Sequence, residues 1–341
     1  MKYFLAFLLL SAFALHGESQ GPNDERAEAL NNSGAELYQA GRYQEAEQRY
    51  SRAIEIWRSK GGVNLAAALN NMGALYRSMG KYSESEAQYF EALQIQTSLF
   101  GKDSIQSANV LNNLAQLYRA QGRSKDALAL ARKSVALTEK GDPALLDRLV
   151  TLGSVSADFG EPAEALALFK RAAEIAESAP GGQHPRLAGV LNNIAQVHIS
   201  EGRFQEAEPL LRRATSLWEH SVGPNHPNVA VALNNLAQSL RLQRKYAEAE
   251  PLYRRSLQIL EERLGVEHPD YARGLANLAD FFHERGRDSG AIALYQRSLS
   301  VLERSLGPDH PTTAKVRQNL VKVYRAEGRY TEAGNLTLAR K

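Results

Sequence analysis

The stretch LNNMGALYRSMGKYSESEAQY, residues 69–89, reads as two helices joined by a tight turn. Leu69, Met72, Gly73 and Tyr76 stand at i, i+3, i+4 and i+7, one stripe of an α-helix. Eleven residues after the opening leucine comes Gly80, where a positive φ just past a helix end lets the chain reverse. A second helix follows at once. It carries the small Ser85 and, four residues on, the large Tyr89 on the same face.

The pattern recurs along the chain. Leu30-Asn31-Asn32, Leu69-Asn70-Asn71, Leu111-Asn112-Asn113, Leu191-Asn192-Asn193 and Leu233-Asn234-Asn235 open five copies. Leu275-Ala276-Asn277 continues them, and Leu149-Val150-Thr151 and Arg317-Gln318-Asn319 are degenerate members. Successive spacings are 39, 42, 38, 42, 42, 42 and 42 residues, a period that marks a stacked array. The turn glycine has equivalents at Gly41, Gly122, Gly160, Gly202, Gly286 and Gly328. Arg244 is the exception and implies slight strain or a shifted cap. Small residues recur in the second helix (Ala46, Ala127, Ala165, Ala207, Ala249, Ala291, Ala333), letting two helices approach closely. Large knobs follow at Tyr50, Phe169, Leu211, Tyr253 and Tyr295, whereas Ala131 takes that place in the third copy and predicts looser packing. A further small position lies on the first helix: Gly34, Gly73, Ala115, Gly153, Ala195, Ala237 and Ala279.

Large, small and aromatic positions at these offsets, with a glycine turn and an alanine five residues later, resemble the tetratricopeptide repeat. The 42-residue period, the Leu-Asn-Asn-Leu-Ala core, residues 248–253 (EAEPLY) and the linker at residues 264–269 (LGVEHP) resemble the kinesin light chain subclass. The resemblance covers roughly residues 25–341. It implies an all-α fold, a right-handed superhelical solenoid of about eight antiparallel helix pairs. Repeats would begin near residues 28, 67, 109, 147, 189, 231, 273 and 315. Such arrays bind other polypeptides, and in related repeats asparagines on the first helix clamp peptide backbone or a terminal carboxylate.

The start of the chain bears on compartment. Met1-Lys2 precedes an apolar run at residues 3–15 and a polar stretch at 16–20, the form of a bacterial secretory signal peptide. A run this short falls below the ~20 residues that span a bilayer. Residues 1–17 are expected to be removed, after Ala14 or Gly17, leaving 18–24 as a linker and an exported periplasmic or secreted chain. The alternative for the run is a buried N-terminal helix. Lys2 is the only charge so lost, and the formal net charge of +3 becomes +2. Acidic and basic residues alternate with no basic face, which argues against nucleic acid. With no cysteine, disulfides, thiolate metal sites, cysteine nucleophiles and an acylated cysteine are all excluded. No second hydrophobic run predicts a membrane span in the mature chain.

His184-Pro185, His226-Pro227, His268-Pro269 and His310-Pro311 recur at 42 residues. Proline suits the first position of a helix, and the histidine before it reads as a cap or packing residue. Equivalent side chains in stacked repeats lie ~8–10 Å apart, too far to converge on one zinc. His198, His220 and His283 are isolated. No phosphate-cradling loop or serine elbow occurs, so the sequence calls for no enzyme, metal or cofactor.

The residue two places after each opening leucine lies about 200° around the helix, away from its core stripe. It is Asn32, Asn71, Asn113, Asn193, Asn235, Asn277 and Asn319, broken only by Thr151. Asparagine is a poor helix former, so seven at one offset ask for another reason. Its amide both donates and accepts, and a ladder of amides can grip an extended peptide along the concave face of a solenoid. Gln116, Gln196 and Gln238 lie three residues further on, and Arg77, Arg119, Arg241 and Arg325 lie on the flank, suited to carboxylates. The candidate peptide-binding groove is therefore Asn71, Asn113, Asn193, Asn235, Asn277, Gln116, Gln196, Gln238, Arg77, Arg119 and Arg241. The other reading has the asparagines bonding between neighbouring repeats and holding the stack.

Two further features stand out. Residues 124–160 hold a repeat four residues short, with Gly141-Asp142-Pro143 as its linker, which reads as a softer joint or simply as a shorter second helix. The last second helix, from Tyr330 to Lys341, is brief and polar, as a terminal cap needs. The function so implied is a non-enzymatic scaffold for a peptide or protein segment. A self-associating repeat protein of the envelope is the alternative, with oligomeric state open, and a cytoplasmic adaptor if residues 1–17 are not a signal.

Overall fold

The computed structural model describes residues 21–178 and 185–338, so the apolar run at 3–15 and His184 lie outside it. The described residues form sixteen α-helices, without a strand, in eight pairs. These are α1 (Pro22–Gln39) with α2 (Tyr43–Arg58), α3 (Gly62–Ser78) with α4 (Tyr82–Phe100), α5 (Ile105–Ala120) with α6 (Ser124–Ala136), and α7 (Ala144–Phe159) with α8 (Pro162–Ser178). They continue as α9 (Pro185–Ser200) with α10 (Phe204–Val222), α11 (Pro227–Leu242) with α12 (Tyr246–Leu264), α13 (Pro269–Glu284) with α14 (Asp288–Ser305), and α15 (Pro311–Ala326) with α16 (Tyr330–Leu338). Among the described residues no helix is long and apolar enough to cross a membrane.

The helices group into two compact units, Met1–Leu75 with Ser83–Glu139 and Tyr76–Tyr82 with Lys140–Lys341. The division at Glu139 falls inside the stretch expected to hold a joint. Helix α6 has 13 residues against 19 in α4, so the second helix of this repeat is the shorter one.

In the first unit the small and large positions meet ring to backbone. A Cβ on Gly34 would lie 2.8 Å from the Tyr50 ring, and one on Gly73 would lie 2.7 Å from that of Tyr89. With the ring placed as it is, a methyl there would press on the aromatic knob that lies against the first helix. Ser85, the one non-alanine at the close-approach position, is fully buried and donates from Oγ to the Gly73 carbonyl at 2.7 Å. Ala115 and Ala131 in the third pair are both fully buried.

The second unit repeats the device. A Cβ on Gly153 would lie 2.8 Å from the Phe169 ring, while Leu211, Tyr253 and Tyr295 are buried knobs in later pairs. Arg244 keeps the glycine-type turn at φ 61°, the only non-glycine residue with positive φ among those described. Its N–H donates to Arg241 O at 2.9 Å and that of Lys245 to Leu240 O at 2.9 Å. The cap has not shifted, so the strain is accepted for the turn. Buried serines tie second helices to first ones. Ser256 donates to Ala230 O at 2.7 Å and Ser298 to Ala272 O at 2.6 Å, as Ser134 does to Ala108 O at 2.8 Å in the first unit.

Candidate functional site

Within the second unit, α7 packs on α9, α9 on α11, and α11 on α13, so first helices of successive repeats form a continuous row. The asparagines lie in that row. Asn235 Nδ2 donates to Asn192 Oδ1 at 2.7 Å, and Asn277 Nδ2 donates to Asn234 Oδ1 at 2.9 Å. In the first unit Asn71 Nδ2 donates to Asn31 Oδ1 at 3.1 Å, and Asn113 Nδ2 to Asn70 Oδ1 at 2.8 Å. These four bonds run one way: the second asparagine of a repeat donates to the first asparagine of the repeat before it. Asn32, in the first pair, is exposed.

This corrects the expectation that these side chains stand clear of the packing. Asn71 and Asn235 are buried, and Asn113, Asn193 and Asn277 are half-buried. The angle around one helix locates a side chain against that helix's own partner, and the neighbouring repeat covers part of the face left over. An amide has two N–H groups and two acceptor lone pairs, so a ladder bond uses only part of its capacity.

Two repeats that are followed by another lack the first asparagine (Val150 and Ala276), and they resolve the loss differently. At Ala276 no acceptor is available, and Asn319 Nδ2 reaches Asp280 Oδ1, one turn further along α13, at 3.2 Å. Asp280 also accepts from the Tyr295 hydroxyl; burial first, and this carboxylate second, push that phenol well above its ordinary range. At Val150 nothing replaces the acceptor. Asn193 Nδ2 is covered from solvent and has no hydrogen-bond partner. Gln196 Nε2, one turn along α9, is likewise covered and unpaired, and so is Asn112 Oδ1 in the first unit.

Gln116, Gln196 and Gln238 are half-buried, as are Arg77, Arg119 and Arg241. Arg241 pairs with Glu284 of the following repeat, so it is committed within the array rather than held open for a guest carboxylate. Other arginines and lysines lace second helices together in the same way. Arg212 bonds Glu248 at 3.1 Å, Arg255 bonds Glu219 at 2.7 Å, and Arg287 bonds Glu250 at 3.3 Å. Exposed pairs of this kind contribute roughly 0–1 kcal/mol each, and they account for the alternating charges without a basic face. Glu208 gathers Lys245, Arg212 and Gln243. The Lys245 hydrogen bond leads in pulling its carboxyl down to about 2.

The His-Pro series caps helices. Nδ1 of His226, His268 and His310 accepts from the backbone N–H of Asn228, Asp270 and Thr312 at 3.1, 3.0 and 3.1 Å, with proline next in chain. This requires a neutral imidazole. Burial, followed by the charge of Arg273, pushes His268 and His310 down to about 4. Among the described residues, no three of His, Cys, Asp or Glu are grouped to hold a metal ion.

Asp280 and the buried serines were not anticipated from the sequence. The serine signal was present as a small residue at one offset, Ala92, Ser134, Ala172, Ala214, Ser256 and Ser298.

The row of first helices is a polar, partly covered surface with regularly spaced amides, suited to hydrogen bonding with a polypeptide backbone. Tetratricopeptide repeat models match residues 64–140, 147–219, 186–262, 228–303 and 270–336, and a second such model matches residues 26–60. No curated protein matches the chain. A tetratricopeptide repeat protein from Parabacteroides merdae superposes with a TM-score of 0.53 at 16% identity, covering 86% of this chain and 97% of that one. BtubC (BKLC) from P. vanneervenii gives 0.51 at 21% identity, covering 65% and 88%. A kinesin light chain-type protein from Podosopora anserina with nearly identical TPR-like repeats gives 0.47 at 20% identity, covering 57% and 95%. With paired helices throughout and repeat models matching most of its length, the chain belongs to the tetratricopeptide repeat family.

Proposed function

We propose that the chain is an exported, non-enzymatic scaffold that binds an extended peptide or protein segment along its row of first helices. The observation that carries the reading is the regular series of amide side chains there, each with capacity beyond its ladder bond. Family membership supports a polypeptide partner, since repeats of this kind generally mediate protein–protein interaction. The ladder asparagines are poor choices for a test, because they also hold the stack. Gln196 and Gln238 carry no such bond to a neighbouring repeat in the structure. The pair Gln196→Ala and Gln238→Ala should lose partners captured by the mature chain from its own cell extract, with helical content and melting unchanged. An identical set of captured proteins would remove the amide face from consideration.

Export rests on residues 1–17. Its test is fractionation of the full chain against one lacking them: the first should leave the cytoplasm and the second remain. Equal cytoplasmic retention of both would favour the adaptor reading. Self-association is favoured by one feature of the first unit. Phe90, Leu99 and Phe100 are 45%, 50% and 37% exposed on α4, and Phe90 lines a cleft of about 570 Å³ with Leu93 and Leu111. Light scattering at high concentration distinguishes a monomer from that alternative.

A further inference from the structure

A ladder whose bonds run one way presents different groups on its first and last helices. Among the described residues no repeat precedes α1, and Asn32, at the donor position, is exposed. None follows the last pair, and Gln318, an amide at the acceptor position of α15, is exposed as well. Each of these amides lies within a charged stripe, and the stripes differ in sign. On α1, Glu25, Glu28, Asn32 and Glu36 stand at i, i+3, i+7 and i+11, all exposed on one face. On α15, Lys315, Gln318, Lys322 and Arg325 stand at i, i+3, i+7 and i+10, also exposed on one face. Helix α15 contains no carboxylate, and Arg26 is the one cation of α1. The junction between the sixth and seventh repeats gives the register. Asn277 meets Asn234 and Glu284 meets Arg241, each pair 43 residues apart. Tyr246 of the sixth repeat packs its ring edge-on against Phe281 of the seventh and donates its hydroxyl to Glu284 at 3.2 Å. Its equivalent in the last repeat, Tyr330, is 71% exposed.

We propose that the α15 face of one copy docks on the α1 face of a second copy, continuing the stack from chain to chain. The partner is this same chain, selected by charge: a basic stripe around an amide acceptor meets an acidic stripe around an amide donor. The two faces are different surfaces, so the contact is head-to-tail rather than a patch meeting itself. The inference is separate from the peptide-binding reading, and it locates self-association at α1 and α15 instead of at Phe90. In the register of the internal junctions, Asn32 donates to the Gln318 oxygen. Four residues further along both helices, Glu36 stands beside Lys322. Tyr330 then covers α1 near Glu36 and Gln39, the places that Phe281 and Glu284 hold in the seventh repeat. Unlike charges draw these two faces together, whereas α1 against α1 or α15 against α15 sets like charges opposite each other. The charges are exposed before docking, so added salt weakens the association.

Charge reversal tests the pairing from both sides. One variant combines Glu28→Lys with Glu36→Lys, and the other combines Lys322→Glu with Arg325→Glu. Sedimentation equilibrium of the mature wild-type chain at low salt should give an average mass that rises with concentration. Either variant alone should associate at least about tenfold more weakly, with helical content unchanged. Mixed in equal amounts, the two should recover association, because each reversed face finds its opposite charge on the other chain. Recovery also shows that both variants are folded at the faces they carry. A wild-type chain that stays monomeric at every concentration would overturn the proposal, since its two ends would then be no more than solvated caps. Association that both reversals leave intact, and that Phe90→Asp abolishes, would move the contact to α4 and overturn it too. Two weakened variants that fail to recover on mixing would show that α1 and α15 do not meet.

Discussion

Lowering the pH from about 7 to about 5 should destabilise the C-terminal repeats through two histidines. His268 and His310 cap α13 and α15 with neutral imidazoles buried beside Arg273, and each is held down to about 4 from the 6.5 of a free side chain. The Asp270 carboxylate, 3.8 Å from His268 Nδ1, opposes the shift but is itself paired with Arg273. Between these two pKa values the unfolded chain takes up protons that the folded chain refuses, so stability falls as pH drops through the window. It is fully present above about 6.5 and fully lost below about 4. At ~1.4 kcal/mol per pKa unit, each site contributes roughly 3 kcal/mol, of which about 2 disappears between pH 7 and pH 5. The two together cost about 4 kcal/mol, minus whatever relaxation of the linkers recovers. Carboxylates are poor confounders here: Glu208, drawn down to about 2, responds only below about pH 4.5. Asparagine keeps an N-cap acceptor without titrating, so His268→Asn with His310→Asn isolates the effect. Urea unfolding followed by circular dichroism should show the wild type losing most of that 4 kcal/mol and the double variant losing little. If both proteins lose the same amount, the buried neutral caps are not the source of acid sensitivity.

Three other substitutions have definite signs. Arg244→Gly relieves a left-handed φ of 61° and should raise stability by about 1 kcal/mol, read as a higher melting temperature; a decrease would show that the arginine side chain matters more than its backbone. Ser256→Ala removes a buried bond to Ala230 O while leaving the shape found at Ala214, and should cost about 1 kcal/mol in urea unfolding. Gly73→Ala sets a methyl 2.7 Å from the Tyr89 ring in a closed interior and should cost about 1–3 kcal/mol. No loss at Gly73 would mean the ring moves freely.

Much of this fold can be read from the chain because each repeat is a local unit. The stripe at Leu69, Met72 and Gly73, the glycine turns and the buried knobs all depend on contacts within about forty residues. The Arg244 turn and the histidine caps were legible for the same reason, since backbone sterics and proline geometry act over a few residues. The asparagines were harder. Their bonds run to the previous repeat, and a helical wheel drawn for one helix contains no such neighbour. A signal was nonetheless present in the series of paired asparagines, where donor and acceptor stand 43 residues apart in three of the bonds. Asp280, which substitutes for an acceptor missing at Ala276, could be recognised only once that direction was known.

Because every ladder bond joins a repeat to the one before it, a whole repeat can be excised or duplicated and the new neighbours still present matching groups. The fourth repeat breaks this order within its own unit: Val150 offers no oxygen, and Asn193 is left with a spare N–H. A chain shortened by residues 149–190 would bring the third and fifth repeats into succession in sequence, setting Asn193 after a repeat that carries Asn112 at the acceptor position. The odd repeat thus departs from the donor-to-acceptor order that the later junctions of its unit keep.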